Sequence, residues 1–154
     1  MFHAKEYVKA ESLEQAYELN QKRSNVLAGG MMWLKMSSGN RNTVIDLSGL
    51  GLDQIEETED EFRIGCMCSL RQLELHKGLN QYFDGAFREC TRWIVGTQFR
   101  NSATVGGSVF GRFGFSDILT CMMVLDSYVE LYKGGTVSLE EFAKMKYSRD
   151  ILVR

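Results

Sequence analysis

Two glycine pairs constrain this chain more than any other feature: Gly29-Gly30 in "LAGGMMWLKM" and Gly106-Gly107 in "ATVGGSVFG". Each follows an apolar, β-like run, and each precedes a segment able to start a helix. Glycine has no Cβ, so its backbone N–H groups can lie close to a bound group. Successive N–H groups in a turn form a concave anion site, and a helix start adds unpaired donors and a positive dipole end. Two such loops facing each other can hold a diphosphate without lysine. The plainer reading of either pair alone is a turn between core elements. The chain has 15 glycines and no proline, so glycine does the turn-making throughout.

Composition narrows the classes. With 154 residues, 44% of them hydrophobic and 25% charged, the chain reads as one ordinary globular domain or two small subdomains. The formal net charge of -2, with no cluster of Lys and Arg, argues against a nucleic-acid surface, which needs concentrated positive charge. The longest apolar run, "ILTCMMVL", is far short of the ~20 residues of a membrane span. The start "MFHAKEYVKAESLEQ" has no basic region followed by an apolar one, so no secretory signal is visible and a cytoplasmic location is expected.

Periodicity and turn signals give an α+β order. "KEYVKA" reads as a strand, and "SLEQAYELNQKR" as a helix with Ser12 as N-cap and Gln15 at the capping-box position. "NVLAGG" and "TVIDL" are strands, giving a small βαβ-type unit. "QIEETEDEFRIG" reads as a hairpin. "SLRQLELHKGL" is a helix capped by Ser69, with Gln72 three residues on, and "DGAFRECTRWIV" is a second helix. After the glycine-rich stretch, "DILTCMMVLD" is a buried helix capped by Ser116. "SYVELYKGGTVS" is a hairpin around Gly134-Gly135, "SLEEFAKM" is a helix with a Ser138–Glu141 capping box, and "DILVR" begins a strand. The division falls near Gly51 to Thr58, giving units over residues 1–55 and 56–154.

The residue types that carry catalysis are sparse. His3 is near the terminus and His76 lies on a charged helix, so each reads as exposed. No GxSxG elbow, Rossmann GxGxxG or Walker A is present. Of the four cysteines, Cys66 and Cys68 would face one side if they lay in a strand. No further ligands stand at metal spacing, so the thiols read as reduced and mostly buried, and no metal is expected. Phe110, Phe113 and Phe115 read as core anchors, Arg100 and Arg112 as solvated, and Asp117 as a carboxylate at a helix start. Without an acid–base pair, no catalytic residue is assigned, and any redox chemistry must come from a bound cofactor.

Four ordered blocks carry a resemblance. "LAGGMMWLKM", "TVIDLSGL", "FRIGCMCSLRQLE" and "IVGTQFRNSATVGGSVFGRFGFSD" look like the FAD-binding subunit of molybdenum hydroxylases, the xanthine dehydrogenase and carbon monoxide dehydrogenase flavoprotein group, over nearly the whole chain. The resemblance implies a two-part fold of the vanillyl-alcohol-oxidase type, with FAD extended between a small N-terminal α/β unit and a larger unit that has an antiparallel sheet and flanking helices. It also implies a C-terminal domain that this chain lacks. The first loop of the family wraps the pyrophosphate, which carries over to Val26, Leu27, Ala28, Gly29, Gly30, Met31, Met32 and Trp33. The later block carries over as Ile94 near the flavin, Thr104 as a hydroxyl donor, Gly107 and Ser108 at a close backbone approach, and Asp117 accepting from cofactor hydroxyls. Ser69 stands where the family usually has threonine.

The sequence departs from that pattern in places. Many members read Ala-Gly-Gly-Thr-Asp where Met31 and Met32 follow the glycines here, and asparagine is usual at Ser108. The implied function is electron transfer: from a molybdopterin-binding subunit through an iron–sulfur subunit to FAD, then to NAD+ or another acceptor. The substrate would be chosen on the molybdenum subunit. Two other readings stay open at this point, a stand-alone flavin reductase and a non-catalytic assembly module that keeps the fold but binds no FAD.

Overall fold

A computed structural model describes the whole chain, Met1–Arg154. β1 (Phe2–Lys9), α1 (Leu13–Asn20), β2 (Val26–Ala28) and β3 (Gly39–Asp46) build a three-stranded sheet of order β1-β3-β2. Both pairings are parallel, with Tyr7 opposite Val44 and Ala28 opposite Asp46. The central strand β3 carries the run Thr43-Val44-Ile45, all buried, as a parallel strand flanked on both edges should. Ser12 caps α1 by accepting from the Gln15 N–H, while the Gln15 side chain accepts from Glu11 instead of closing a capping box on Ser12.

The rest of the chain is helical, with two short antiparallel ladders. β4 (Ile55–Glu57) pairs with β5 (Phe62–Ile64), and β6 (Tyr128–Leu131) with β7 (Gly135–Ser138). Two separate hairpins thus stand where one antiparallel sheet was expected. The last residues add a bridge from Leu152 to Leu131. The Cys66–Cys68 segment is a buried turn following β5, not part of a strand.

Several expected helices are shorter or divided. The segment after Ser69 forms α2 (Leu70–Leu75) and α3 (Lys77–Tyr82), broken at His76. His76 is extended at ψ 117, and its Nδ1 accepts from the Leu79 N–H, so it serves as the cap of α3. α4 (Ala86–Arg92) follows, and α5 (Thr97–Ser102) forms where no helix was predicted. α6 (Val105–Phe110) contains the second glycine pair, so that pair is a helical turn rather than a bend. α7 (Asp117–Met123) is fully buried only at Ile118, and α8 (Leu139–Lys144) has the expected capping box.

One apolar cluster joins all of this, running from Ala16 and Ile45 through Leu70 and Leu73 to Phe142 and Ile151. Arg149 fastens the C-terminal segment to the α1–β2 connection. Its guanidinium donates to the carbonyls of Asn20, Lys22 (3.0 Å) and Asn25 (2.8 Å), and the Asn20 amide returns a bond to the Arg149 carbonyl at 2.8 Å. No helix is long and apolar enough to cross a membrane.

Candidate functional site

The two glycine segments meet. A Cβ on Gly29 would stand 2.6 Å from Thr104 Oγ1, and one on Gly30 would stand 1.6 Å from the Ser102 carbonyl oxygen. Backbone therefore lies directly on backbone, which only glycine permits. Beyond Gly30 the chain turns through Met31, a non-glycine residue at φ 61, into a short 3-10 turn over Leu34–Met36. From Gly29 through Leu34, no main-chain N–H has an acceptor within the chain; the first N–H to find one is that of Lys35, on the Met31 carbonyl. The loop is half-buried to exposed, and a row of free donors around a left-handed residue has the form of a nest, the backbone shape suited to an anion.

The second segment contributes differently from the expectation. The N–H groups of Val105 and Gly106 donate to the carbonyls of Cys68 and Cys66, each at 2.8 Å, and that of Gly107 donates to Thr104 Oγ1 at 3.2 Å. Gly106 serves packing, since its Cβ would lie 2.6 Å from the Cys66 carbonyl oxygen. Gly107 is open, with only Thr104 Oγ1 near its missing Cβ, at 3.1 Å. The free donors here are on Thr104. Its N–H has no acceptor although the residue is only 7% exposed, and its hydroxyl, which accepts from Gly107, retains its own proton to give. The Thr104 N–H was not singled out in the sequence, because nothing in a lone threonine after alanine signals it.

The remaining predicted residues surround this seam. The Trp33 ring lies 6.4 Å from Phe99 and 5.6 Å from Phe115, which stacks on Phe113 at 5.2 Å. Trp33, Phe113 and Phe115 are exposed, so only Phe110, packed on Phe142, is the core anchor expected of that group. Ser116 caps α7 and its hydroxyl donates to the Ser108 carbonyl at 2.9 Å, which sets Asp117 beside the second segment. Asp117 is exposed and makes no hydrogen bond within the chain through its carboxylate. Ile94, half-buried after α4, is tied to α5 through its carbonyl, which accepts from Arg100 at 3.1 Å. Val26, Leu27 and Ala28 are strand residues leading into the loop, and Met32 packs against the core.

Two arginines read as solvated are not. Arg100 is buried and pairs with buried Glu74 at 2.7 Å, while Arg71 lies 2.8 Å from the same carboxylate. Burial alone would push Glu74 up, but hydrogen bonds from Arg100 and Arg71 outweigh it and hold the carboxyl below its ordinary value. Arg112, at φ 49, lays its guanidinium 4.1 Å from the Phe142 ring centre and donates to the Met145 carbonyl.

On the outer face of the parallel sheet, a groove of about 550 Å³ opens beside the nest, lined by Phe2, Ala4, Tyr7, Ala28, Gly29 and Met31 among others. Tyr7 donates to Asp46 on its floor. Burial would raise Asp46, but the bonds from Tyr7 and Ser48 hold it below its ordinary value.

Comparison with known proteins decides what this arrangement belongs to. The model of the family described as "FAD binding domain in molybdopterin dehydrogenase" matches residues 2–153. The chain belongs to that family.

This FAD-binding domain is 25% identical over 141 residues to protein YgfM of Escherichia coli (strain K12), covering 89% of the chain and 53% of YgfM. It is 26% identical over 131 residues to the 6-hydroxypseudooxynicotine dehydrogenase complex subunit alpha of Paenarthrobacter nicotinovorans, covering 80% of the chain and 44% of that subunit. Its fold matches a chain of the cyanide-inactivated Cu,Mo-CO dehydrogenase with a TM-score of 0.82 at 21% identity, covering 97% of this chain and 57% of that one. The chain thus spans about half the length of these relatives.

FAD, the cofactor of this family, fits the residues present. A row of unpaired N–H groups suits a diphosphate, the more so in a chain whose basic residues are scattered or already paired. The free Asp117 carboxylate suits hydroxyl groups. Loss of the threonine and aspartate side chains at Met31 and Met32 leaves this donor set intact, because the donors are main-chain.

Proposed function

We propose that this chain is the cofactor-holding part of a flavoprotein subunit in a molybdopterin-dependent dehydrogenase. The observation that carries the reading is the row of unpaired N–H groups from Gly29 to Leu34 facing Thr104, in a chain matched end to end by the FAD-binding family. Bound FAD supplies the conversion between one-electron and two-electron transfer.

The chain's own residues hold the group in place. The Gly29–Leu34 amides take the diphosphate, and the Thr104 N–H and hydroxyl donate from the opposite side. Gly107 and Ser108 line the approach, where a glycine leaves room for the ligand backbone. Asp117 accepts from hydroxyls along the cofactor, and Ile94 and Trp33 supply apolar contact to its rings. The nest uses fixed dipoles instead of mobile lysines, so no side chain has to be ordered on binding. The expected fold of the vanillyl-alcohol-oxidase type divides at about residue 55, which sets the diphosphate at the seam between the two units.

The partners in this reading are a molybdopterin-binding subunit and an iron–sulfur subunit, with NAD+ or another acceptor taking the electrons. Support comes from the family description and from a relative whose name makes it a subunit of a dehydrogenase complex. The test is purification of the native assembly from its own cells, with flavin, iron and molybdenum measured. About one FAD per chain with co-purifying iron and molybdenum is expected. A flavin-loaded chain that NADH reduces without any metal partner would replace this reading with a stand-alone reductase, and an assembly without flavin would replace it with a structural module.

A further inference from the structure

Away from that seam, at the break between α2 and α3, the helix cap is a titratable side chain. His76 Nδ1 accepts from the Leu79 N–H at 3.2 Å. That bond needs a lone pair on Nδ1 and so places the ring proton on Nε2. The other side-chain caps, Ser12, Ser69, Thr104, Ser116 and Ser138, are hydroxyls, which keep their acceptor at any ordinary pH. A protonated imidazole carries an N–H on both nitrogens. Donor would then face donor, and a positive charge would stand at the positive end of α3. Leu79 is buried, and a covered amide left without its acceptor is costly.

The helix behind this cap joins its neighbours. Asn80 on α3 donates through Nδ2 to the carbonyls of Glu74 and His76, each at 2.9 Å, and its Oδ1 accepts from the Arg88 N–H at 3.1 Å. Its own carbonyl accepts from the Gly85 N–H at 2.7 Å. The end of α2 and the start of α4 are thus tied through one short helix, whose first turn rests on the imidazole. We propose that His76 is a pH-sensitive latch: the neutral ring closes the α2–α3–α4 corner, and protonation opens it. The latch holds above the range in which histidine takes up a proton and is lost as pH falls through that range.

The groups around the ring come from every neighbouring element. From α2, Arg71 lines the same surface pocket as His76 and lies 2.8 Å from the buried Glu74 carboxylate. From β4, the Glu57 carboxylate lies over Gly78 in the first turn of α3, where a Cβ would meet it. β5 presents the Phe62 ring, edge-on at 6.1 Å, and α5 the neutral Asn101. Arg88 on α4 is turned toward Glu89 at 3.7 Å, and Lys77 follows His76 in the chain. Glu57 favours a charged ring, whereas Arg71 and Lys77 oppose it. None of these groups supplies a second acceptor for the Leu79 N–H. The latch is independent of the flavin reading and stands or falls without it.

The experiment follows amide hydrogen exchange and imidazole 15N signals by NMR on the full chain at about pH 7.5 and about pH 5. The ring proton should be on Nε2 at the higher pH. At the lower pH, protection of the Leu79, Gly85 and Arg88 amides should fall about fivefold or more, after correction for the intrinsic pH dependence of exchange. Val44 and Ile45 on the parallel sheet should keep theirs. The Glu74–Arg100 pair responds only below the ordinary carboxyl value of 4.5, so the two effects do not overlap. His76→Asn offers an acceptor that does not titrate and should hold its protection at both pH values. His3→Gln, at the only other histidine, should leave the fall unchanged. A proton found on Nδ1 at the higher pH, undiminished protection at the lower one, or an equal fall in His76→Asn overturns the proposal. The first two are read from the unsubstituted chain, so they decide the matter even where a variant does not fold.

Discussion

The Cα of Gly30 faces the Ser102 carbonyl so closely that an added Cβ would stand 1.6 Å from the oxygen. That contact joins the β2 loop to the end of α5 and fixes the geometry of the nest. Gly30→Ala should therefore damage the fold and not merely the binding loop, since backbone on both sides must move. A loss of about 3 kcal/mol or more in denaturant unfolding is expected, with flavin binding lost alongside. Sequence reasoning alone had made this glycine a place where a ligand approaches; the structure makes it a place where the chain approaches itself.

Gly107 is the contrasting position. Its missing Cβ would meet only Thr104 Oγ1, at 3.1 Å, and it sits inside a helix, where alanine is favoured over glycine by about 1 kcal/mol. Gly107→Ala should leave unfolding stability within about 1 kcal/mol of the original. If the cofactor backbone passes here, its Kd for FAD should rise at least ~10-fold, about 1.4 kcal/mol. Titration by flavin fluorescence quenching checks it, and an unchanged Kd removes Gly107 from the site.

Thr104 has two tasks, as cap of α6 and as donor at the seam. Thr104→Ala removes the acceptor for the Gly107 N–H and should cost about 1 kcal/mol of stability. Thr104→Ser keeps the hydroxyl and should restore both stability and FAD affinity. Restored stability with poor FAD affinity in the serine variant would show that the hydroxyl does not serve the cofactor.

The buried Glu74–Arg100 pair sets an acid limit on stability. Glu74 is held below its usual value in the folded chain, so its contribution is present above the unfolded value near 4.5 and is lost as pH falls through the lower folded one. Glu74→Gln leaves the buried Arg100 guanidinium without its counter-charge and should cost about 3–5 kcal/mol at neutral pH. The gap between variant and original should shrink below pH 4.5. Urea unfolding midpoints at pH 3 to 7 measure this, and a gap constant across that range contradicts it.

Local signals carried much of this architecture into the sequence. Ser12, Ser69, Ser116 and Ser138 each cap the helix expected of them, because a cap needs only its own neighbours. The turns at Gly134-Gly135 and the acidic hairpin after Gln54 followed for the same reason. What failed was set by distant contacts. The helix α5 and the placing of Gly106 inside α6 go with contacts to Glu74, Cys66 and Cys68, and at the His76 break the imidazole lies edge-on to Phe62, each partner coming from another element of the fold. The buried fate of Arg100 was equally hidden, since its partner lies in another helix. The first glycine loop was legible as a possible anion site, whereas the free Thr104 N–H became visible only once Ser69 and Thr104 were bridged.

The most direct measurement is an amide NMR spectrum of the 15N-labelled chain during titration with FAD and, separately, with ADP. The N–H signals of Gly29 through Leu34 and of Thr104 should shift with both ligands, since both carry the diphosphate, while those of Val105 and Gly106, already bonded to Cys68 and Cys66, should move far less. Saturable FAD binding that leaves the Gly29–Leu34 signals where they were would contradict the claim that these main-chain donors hold the cofactor.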